Sequence, residues 1–339
     1  MAGVGVLLMK APGVQDLSLP SKENLFQCPS LDESDCLLLS HYVDSTSLSI
    51  SNDKETKFLW QTTVTHLAYQ HPFLMHGILA CAALHQAYLD PSNQASLIIK
   101  ATTHQASAMP AFRSAIANIT PSNSEAFLVF SHLLIIYSFA SEKQDEHLFL
   151  AESTDDRDSG IIPPWLYFLR NGCSLMCDIW DHLITSPVGA LATAWDIPIL
   201  TPASQTPLVT HLLSIIPSST SPSTWGDELT GLYTSSALAL GAAFHSVNSI
   251  NGTLTPWNAL RVWPMDIPDR YLEVLSARHP SALILLAHYC VLLRRIEGHW
   301  YFEGRAARLL GTVLKFLGEE WHWCIEWPLK EVGLTRVKV

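Results

Sequence analysis

The chain has 15 histidines and seven cysteines, enough for metal or acid–base chemistry, but they are dispersed. No two histidines stand two, three or four positions apart. Of Cys28, Cys36, Cys81, Cys173, Cys177, Cys290 and Cys324, only Cys173 and Cys177 are close. A structural zinc site needs four ligands, brought in as close pairs, so no metal site is expected. An odd number of scattered cysteines set in apolar stretches reads as small hydrophobes in a reducing, intracellular setting. Asp155, Asp156, Arg157 and Asp158 resemble a magnesium-diphosphate cluster. Their spacing departs from Asp-Asp-x-x-Asp, however, and they fall in the acidic run 142–158, which reads as a solvated loop. Gly3-Val4-Gly5 lacks the third glycine of a dinucleotide fingerprint, and neither a P-loop nor a Gly-x-Ser-x-Gly elbow occurs. No cofactor is expected.

Histidines 66, 71, 76, 85, 132 and 288 lie in otherwise apolar stretches, where a buried imidazole needs a hydrogen-bond partner. Most read as satisfied core groups. His288 and Tyr289 stand in the most apolar segment of the chain, the first place to look for polar atoms facing a hydrophobic pocket. Glu303 follows Trp300, Tyr301 and Phe302, where desolvation would raise a carboxyl pKa, although a surface position or a pairing with Arg305 is the better reading. A pocket there would be lined by Leu285, His288, Tyr289, Leu292, Trp300 and Phe302. If the chain is an enzyme, His288, Tyr289 and Glu303 are the catalytic candidates.

Helices must position these side chains. Apolar residues recur at helical spacing over 32–44, 55–69, 72–89, 93–118, 123–141, 162–184, 226–248, 267–278, 280–297 and 300–318, while strand-like alternation is hard to find. Pro72, Pro121 and Pro280 sit near helix starts, where a missing N–H costs nothing. The reading is all-α: one large helical bundle over 31–328 with an internal hydrophobic pocket, a flexible N-terminus at 1–30 and a tail at 329–339. Segment 198–224, rich in Pro, Ser and Thr, predicts a loop around one short helix. Helix 280–297 is the central rod, and the aromatic run at 321–327 closes one end. The opening MAGVGVLLMK makes a poor secretory signal and is expected to be a frayed terminus.

Only 15% of residues are charged, against about 25% in ordinary domains, 48% are apolar, and there are 11 tryptophans, so much surface must be hidden. The net charge of −11 disfavours phosphate backbones, which need clustered basic residues. No membrane span is expected either. The longest uncharged run, 71–89, holds three histidines, and 281–293 is shorter than a bilayer requires.

Several blocks carry a resemblance: 59–85 (LWQTTVTHLAYQHPFLMHGILACAALH), 133–140, 164–176, 262–264, 325–328, and above all 278–313 (RHPSALILLAHYCVLLRRIEGHWYFEGRAARLLGTV). Together these are similar to the C-terminal ligand-binding domain of fungal zinc-cluster transcription factors of the sterol-uptake-regulator type, over about residues 31–328. The resemblance implies an all-helical, often dimeric domain with a deep hydrophobic pocket. The six-cysteine zinc cluster is not among these residues, and Arg170-Asn171-Gly172 stands where the family has Arg-Gly. Two functions follow as expectations. One is a regulatory protein that binds a hydrophobic metabolite (a sterol, terpenoid or polyketide), lacks its own DNA-binding module, and works as a homodimer or with a full-length regulator. The alternative is a cyclase or pericyclase, Diels-Alderase-like, recruited from this scaffold for a fungal secondary-metabolite pathway. An intracellular location, cytoplasmic or nuclear, goes with both.

Overall fold

The structure, a computed structural model, describes residues 31–141, 166, 170, 179–194, 206–217, 225–249 and 254–334. The N-terminal segment, the acidic run with Asp155 to Asp158, Cys173 and Cys177, most of the helix expected over 162–184 and the last five residues lie outside these. Among the described residues every regular element is helical, as the apolar periodicity predicts.

The first stretch winds through α1 (Glu33–His41), a π-helical turn at Tyr42–Thr46, α2 (Ser47–Ile50), α3 (Lys54–Phe58), a second π turn at Leu59–Thr63 and α4 (Val64–Ala68). Asp32 caps α1 by accepting the Asp35 N–H at 2.8 Å, and Asp53 caps α3 through the Thr56 N–H, also at 2.8 Å. Three long helices follow: α5 (Pro72–Leu89), α6 (Gln94–Ile116) and α7 (Pro121–Ala140). Helix α5 packs most extensively on α6 and next on α7. Gly77 makes the second contact close, since a Cβ there would stand 2.8 Å from the Phe130 ring. One described helix, α7, is long and apolar enough to cross a membrane. It is buried on nearly every side in the fold, which accounts for its composition.

The remaining helices are α8 (Trp180–Thr185), α9 (Gly189–Thr193), α10 (Pro207–Ser214), α11 (Asp227–Ser249), α12 (Pro256–Arg261), α13 (Asp269–Ser276), α14 (Pro280–Arg294), α15 (Arg305–Phe316) and, after a 3-10 segment at Glu319–Ile325, α16 (Glu326–Val332). Proline opens α5, α7, α10, α12 and α14. Helix α16 ends at Gly333 in the left-handed region (φ 83°), where the Leu334 N–H returns to the Leu329 carbonyl at 2.9 Å. Helix α14 is the central rod, in contact with α11, α13, α15 and α16. The largest boundary differences lie at the two ends of the segment between α14 and α15. The rod stops at Arg294 rather than 297, and the next helix starts at Arg305 rather than 300, because left-handed Gly304 (φ 74°) turns the chain between them.

Candidate functional site

Helix α14 buries thirteen of its fifteen residues, so it has no open side to offer a ligand. Leu285, His288, Tyr289 and Leu292 are all fully buried. The Tyr289 hydroxyl donates to the Ala259 carbonyl at 3.0 Å, and its ring lies 4.9 Å from that of Trp263. Phe302 is a core residue too, 4.4 Å from Phe139 between ring centres. Trp300 and Glu303 belong elsewhere, on the seam between α5 and the turn before α15. The Trp300 indole donates to Ser49 Oγ at 3.0 Å and its ring lies 4.8 Å from that of His85. Glu303 is exposed and accepts the Tyr88 hydroxyl. Its expected neighbour Arg305 donates instead to the Ala140 carbonyl at 3.3 Å. Among the described residues, Trp300 and Glu303 thus stand apart from the buried positions proposed on α14.

A groove of about 580 Å³ opens where α10, α11, the end of α14 and α16 meet. That volume falls within the range of small-molecule sites. Helix α11 contributes Gly241, Phe244, His245 and Asn248, whose spacing of three, four and seven puts them on one helical face. Helix α10 contributes Pro207, Leu208 and His211 after its cap Thr206, whose hydroxyl accepts the Val209 N–H at 3.3 Å. Trp327 comes from α16, and Arg295 stands one residue past α14. Gly241 sets the width, because a Cβ there would meet Val209 Cγ2 at 2.2 Å; only glycine lets α10 lie this close to α11. Pro207, Leu208, Phe244 and Trp327 make the walls apolar, and Trp327 keeps 37% of its surface exposed.

His288 lies directly behind these walls. Its ring centre is 5.8 Å from Trp327 and 5.9 Å from His211, both lining residues. Its Nδ1 is 2.8 Å from the Ile284 carbonyl. A carbonyl has no proton, so Nδ1 must be the donor. Burial pushes the imidazole pKa down to about 4, so at neutral pH the ring is uncharged and Nε2 carries a bare lone pair. That nitrogen is buried with no hydrogen-bond partner, the kind of group native structures rarely leave. At the rim, the Arg295 Nη1–H donates to Asn248 Oδ1 at 2.7 Å, and its guanidinium sits 5.7 Å from the Phe244 ring centre.

Sequence reading singled out His288, which stands behind this groove, but not the groove's own lining residues. The signal was present in the 241, 244, 245, 248 spacing and in the tryptophan at 327. What it lacked was the approach of α10, which depends on Gly241. Among the described residues no group of three histidine, cysteine or carboxylate side chains is placed to hold a metal ion.

Comparison with known proteins gives a consistent picture. Residues 37–188 match the fungal specific transcription factor domain. The chain is 25% identical, over 86% of its length, to a Zn(2)-C6 fungal-type transcription factor of Gibberella zeae, covering 60% of that protein. It is 24% identical to a second such factor, of Aspergillus fumigatus, over 75% of its own length and 66% of the relative's. To sterol uptake control protein 2 of Candida albicans it is 26% identical over 44% of its length and 20% of the relative's. The chain thus spans less than two thirds of each of these relatives. Residues 37–188 are thus similar to the fungal specific transcription factor domain, and the chain is similar to zinc-cluster transcription factors over most of its length and to sterol uptake control protein 2 over less than half of it.

Proposed function

We propose that this chain is a ligand-sensing regulatory domain whose groove, between α10, α11 and α16, holds a hydrophobic small molecule of the sterol, terpenoid or polyketide kind. The supporting observation is the groove itself, an open concave surface of drug-like volume with apolar and aromatic walls and a few convergent polar groups. A molecule seated there touches α10 and α16 at once and would hold both against α11. Ligand binding is thereby linked to the packing of the C-terminal helices, the physical requirement for a sensor. The proposal extends to action as a dimer or through a full-length regulator, in the nucleus or cytoplasm, as the family resemblance implies. No arrangement in the groove favours the cyclase or pericyclase alternative, which enters only as an outcome of the test.

The test is thermal unfolding of the full chain with a panel of sterols, terpenoids and polyketides. A ligand that binds the folded state alone adds about 2.7 kcal/mol at a hundredfold excess over Kd, enough to raise Tm by a few degrees. Leu208→Trp, which fills the groove from its partly exposed wall, should abolish the shift while leaving the unliganded Tm near its starting value. Shifts that persist in L208W would move the site elsewhere. A complete absence of shifts would overturn the proposal, and conversion of a panel member to product would favour the enzyme.

A further inference from the structure

Arg295 and Asn248 stand together at the rim of the groove. Arg295 spends Nη1 on Asn248 Oδ1 at 2.7 Å. Arginine cannot accept, so this bond fixes the Asn248 amide with its oxygen toward the guanidinium and its NH2 group turned away. The Nε–Nη2 edge of Arg295 and the Asn248 NH2 then present donors that no side chain or backbone acceptor among the described residues takes. Neighbouring arginines are treated differently. Arg294 pairs with Glu297, Arg261 with Asp266 at 3.3 Å, and Arg270 with Glu228 and Glu273. Among the described residues Arg295 has no carboxylate partner, and it lies beside an apolar groove.

We infer that the natural ligand of this groove is an apolar acid, a largely hydrocarbon body bearing one carboxylate, with the carboxylate bound by the free Nε–Nη2 edge of Arg295 and the body lying along Phe244, Leu208 and Trp327. This rests on the proposed ligand-sensing role and names the ligand's class. The free edge of a guanidinium matches a carboxylate in a two-point, charge-assisted contact, and a neutral sterol or ester cannot supply that partner. The Phe244 ring beneath Arg295 screens one side of the ion pair from water and strengthens it. Asn248 holds the guanidinium in place before the ligand arrives, so little side-chain freedom is lost on binding.

The experiment is isothermal titration of the full chain with palmitate, methyl palmitate and palmityl alcohol, all below their aggregation limits. The acid should bind at least about tenfold more tightly than ester or alcohol, as expected for a charge-assisted contact against a neutral one. Arg295→Met should erase that preference, weakening palmitate by about tenfold or more while leaving the ester unchanged. Arg295→Lys should retain part of it, since the charge remains and the two-point geometry is lost. Arg295 is exposed, so both variants are expected to fold, and an unchanged Tm without ligand checks this. Equal binding of acid and ester, unaffected by R295M, would overturn the inference and leave the ligand-sensing proposal standing. A preference for the acid that survives in R295M would place the carboxylate elsewhere and also overturn it. Failure of all three probes, together with silence of the wider panel, would remove the ligand-sensing proposal itself.

Discussion

Three histidines, His85, His132 and His288, are held near pKa 4, each chiefly by burial. The unfolded chain protonates them near the ordinary value of 6.5, so between about pH 6.5 and 4 it binds more protons than the folded one. Stability should therefore fall as pH drops through that window, by about 1.4 kcal/mol per pH unit for each such histidine. Urea unfolding as a function of pH reads this directly, and a midpoint that stays flat from pH 6.5 to 4 would contradict it. His288→Phe removes one share of the slope. It also removes an acceptor that nothing satisfies, so the variant should lie within about 1.5 kcal/mol of the parent at pH 7, as volume-conserving core changes usually do. His288→Ala should cost several kcal/mol by leaving a cavity. Sequence marked His288 as a polar atom in an apolar helix, but which of its nitrogens is bonded depends on the Ile284 carbonyl and on the burial that three neighbouring helices impose.

At the scale of elements, the contact between α10 and α11 turns on Gly241. Adding one methyl group in Gly241→Ala would bring it to 2.2 Å from Val209, forcing the helices apart. Overpacking of this kind costs about 1–3 kcal/mol, more than the gain in helix propensity of up to about 1 kcal/mol. G241A should thus be destabilised and its groove widened. Combining it with Val209→Ala should relieve the clash, so that the double variant is more stable than the sum of the two single effects by about 1 kcal/mol. Simple additivity in denaturant titrations would show that the two residues do not meet. A glycine inside an apolar helix invites the expectation of close packing from sequence alone. The partner across the contact could not be read there, because no local pattern sets how two separate helices such as α10 and α11 approach each other.

On the scale of the whole chain, the ends of the described fold are tied together. The Tyr301 hydroxyl donates to the Ile50 carbonyl at 3.0 Å and Trp300 to Ser49, contacts that span 251 positions. Further ties link the middle to the end: His132 stands edge-on to Trp257 at 4.5 Å and Phe139 meets Phe302 at 4.4 Å. The segment that matches the fungal specific transcription factor domain, 37–188, therefore completes its core with residues beyond it. Expressed alone, it should lack a cooperative thermal transition and bind a hydrophobic dye, whereas 31–334 should melt in one transition by both far-ultraviolet and near-ultraviolet dichroism. A sharp transition for 37–188 alone would contradict this. Tyr301→Phe leaves a buried carbonyl without its donor and should cost about 1–3 kcal/mol in the full chain.

The amino-acid sequence by itself determined the helical class, the proline-marked helix starts at 72, 121 and 280, and the central place of the segment beginning at Pro280. Each of these is written in local terms: apolar spacing, missing N–H groups and a run with no polar face. It also determined the likeness to fungal regulators, since blocks such as 278–313 are read residue by residue. Only the tertiary structure decided where the chain opens. An all-apolar helix such as α14 marks the centre of packing, and because it is covered on every side the groove forms next to it, where α11 has a glycine and α16 a tryptophan. Which face remains uncovered is a property of how helices distant in sequence meet. That depends on side-chain volume at a few crossing points, Gly241 against Val209 above all, and not on any pattern along the chain.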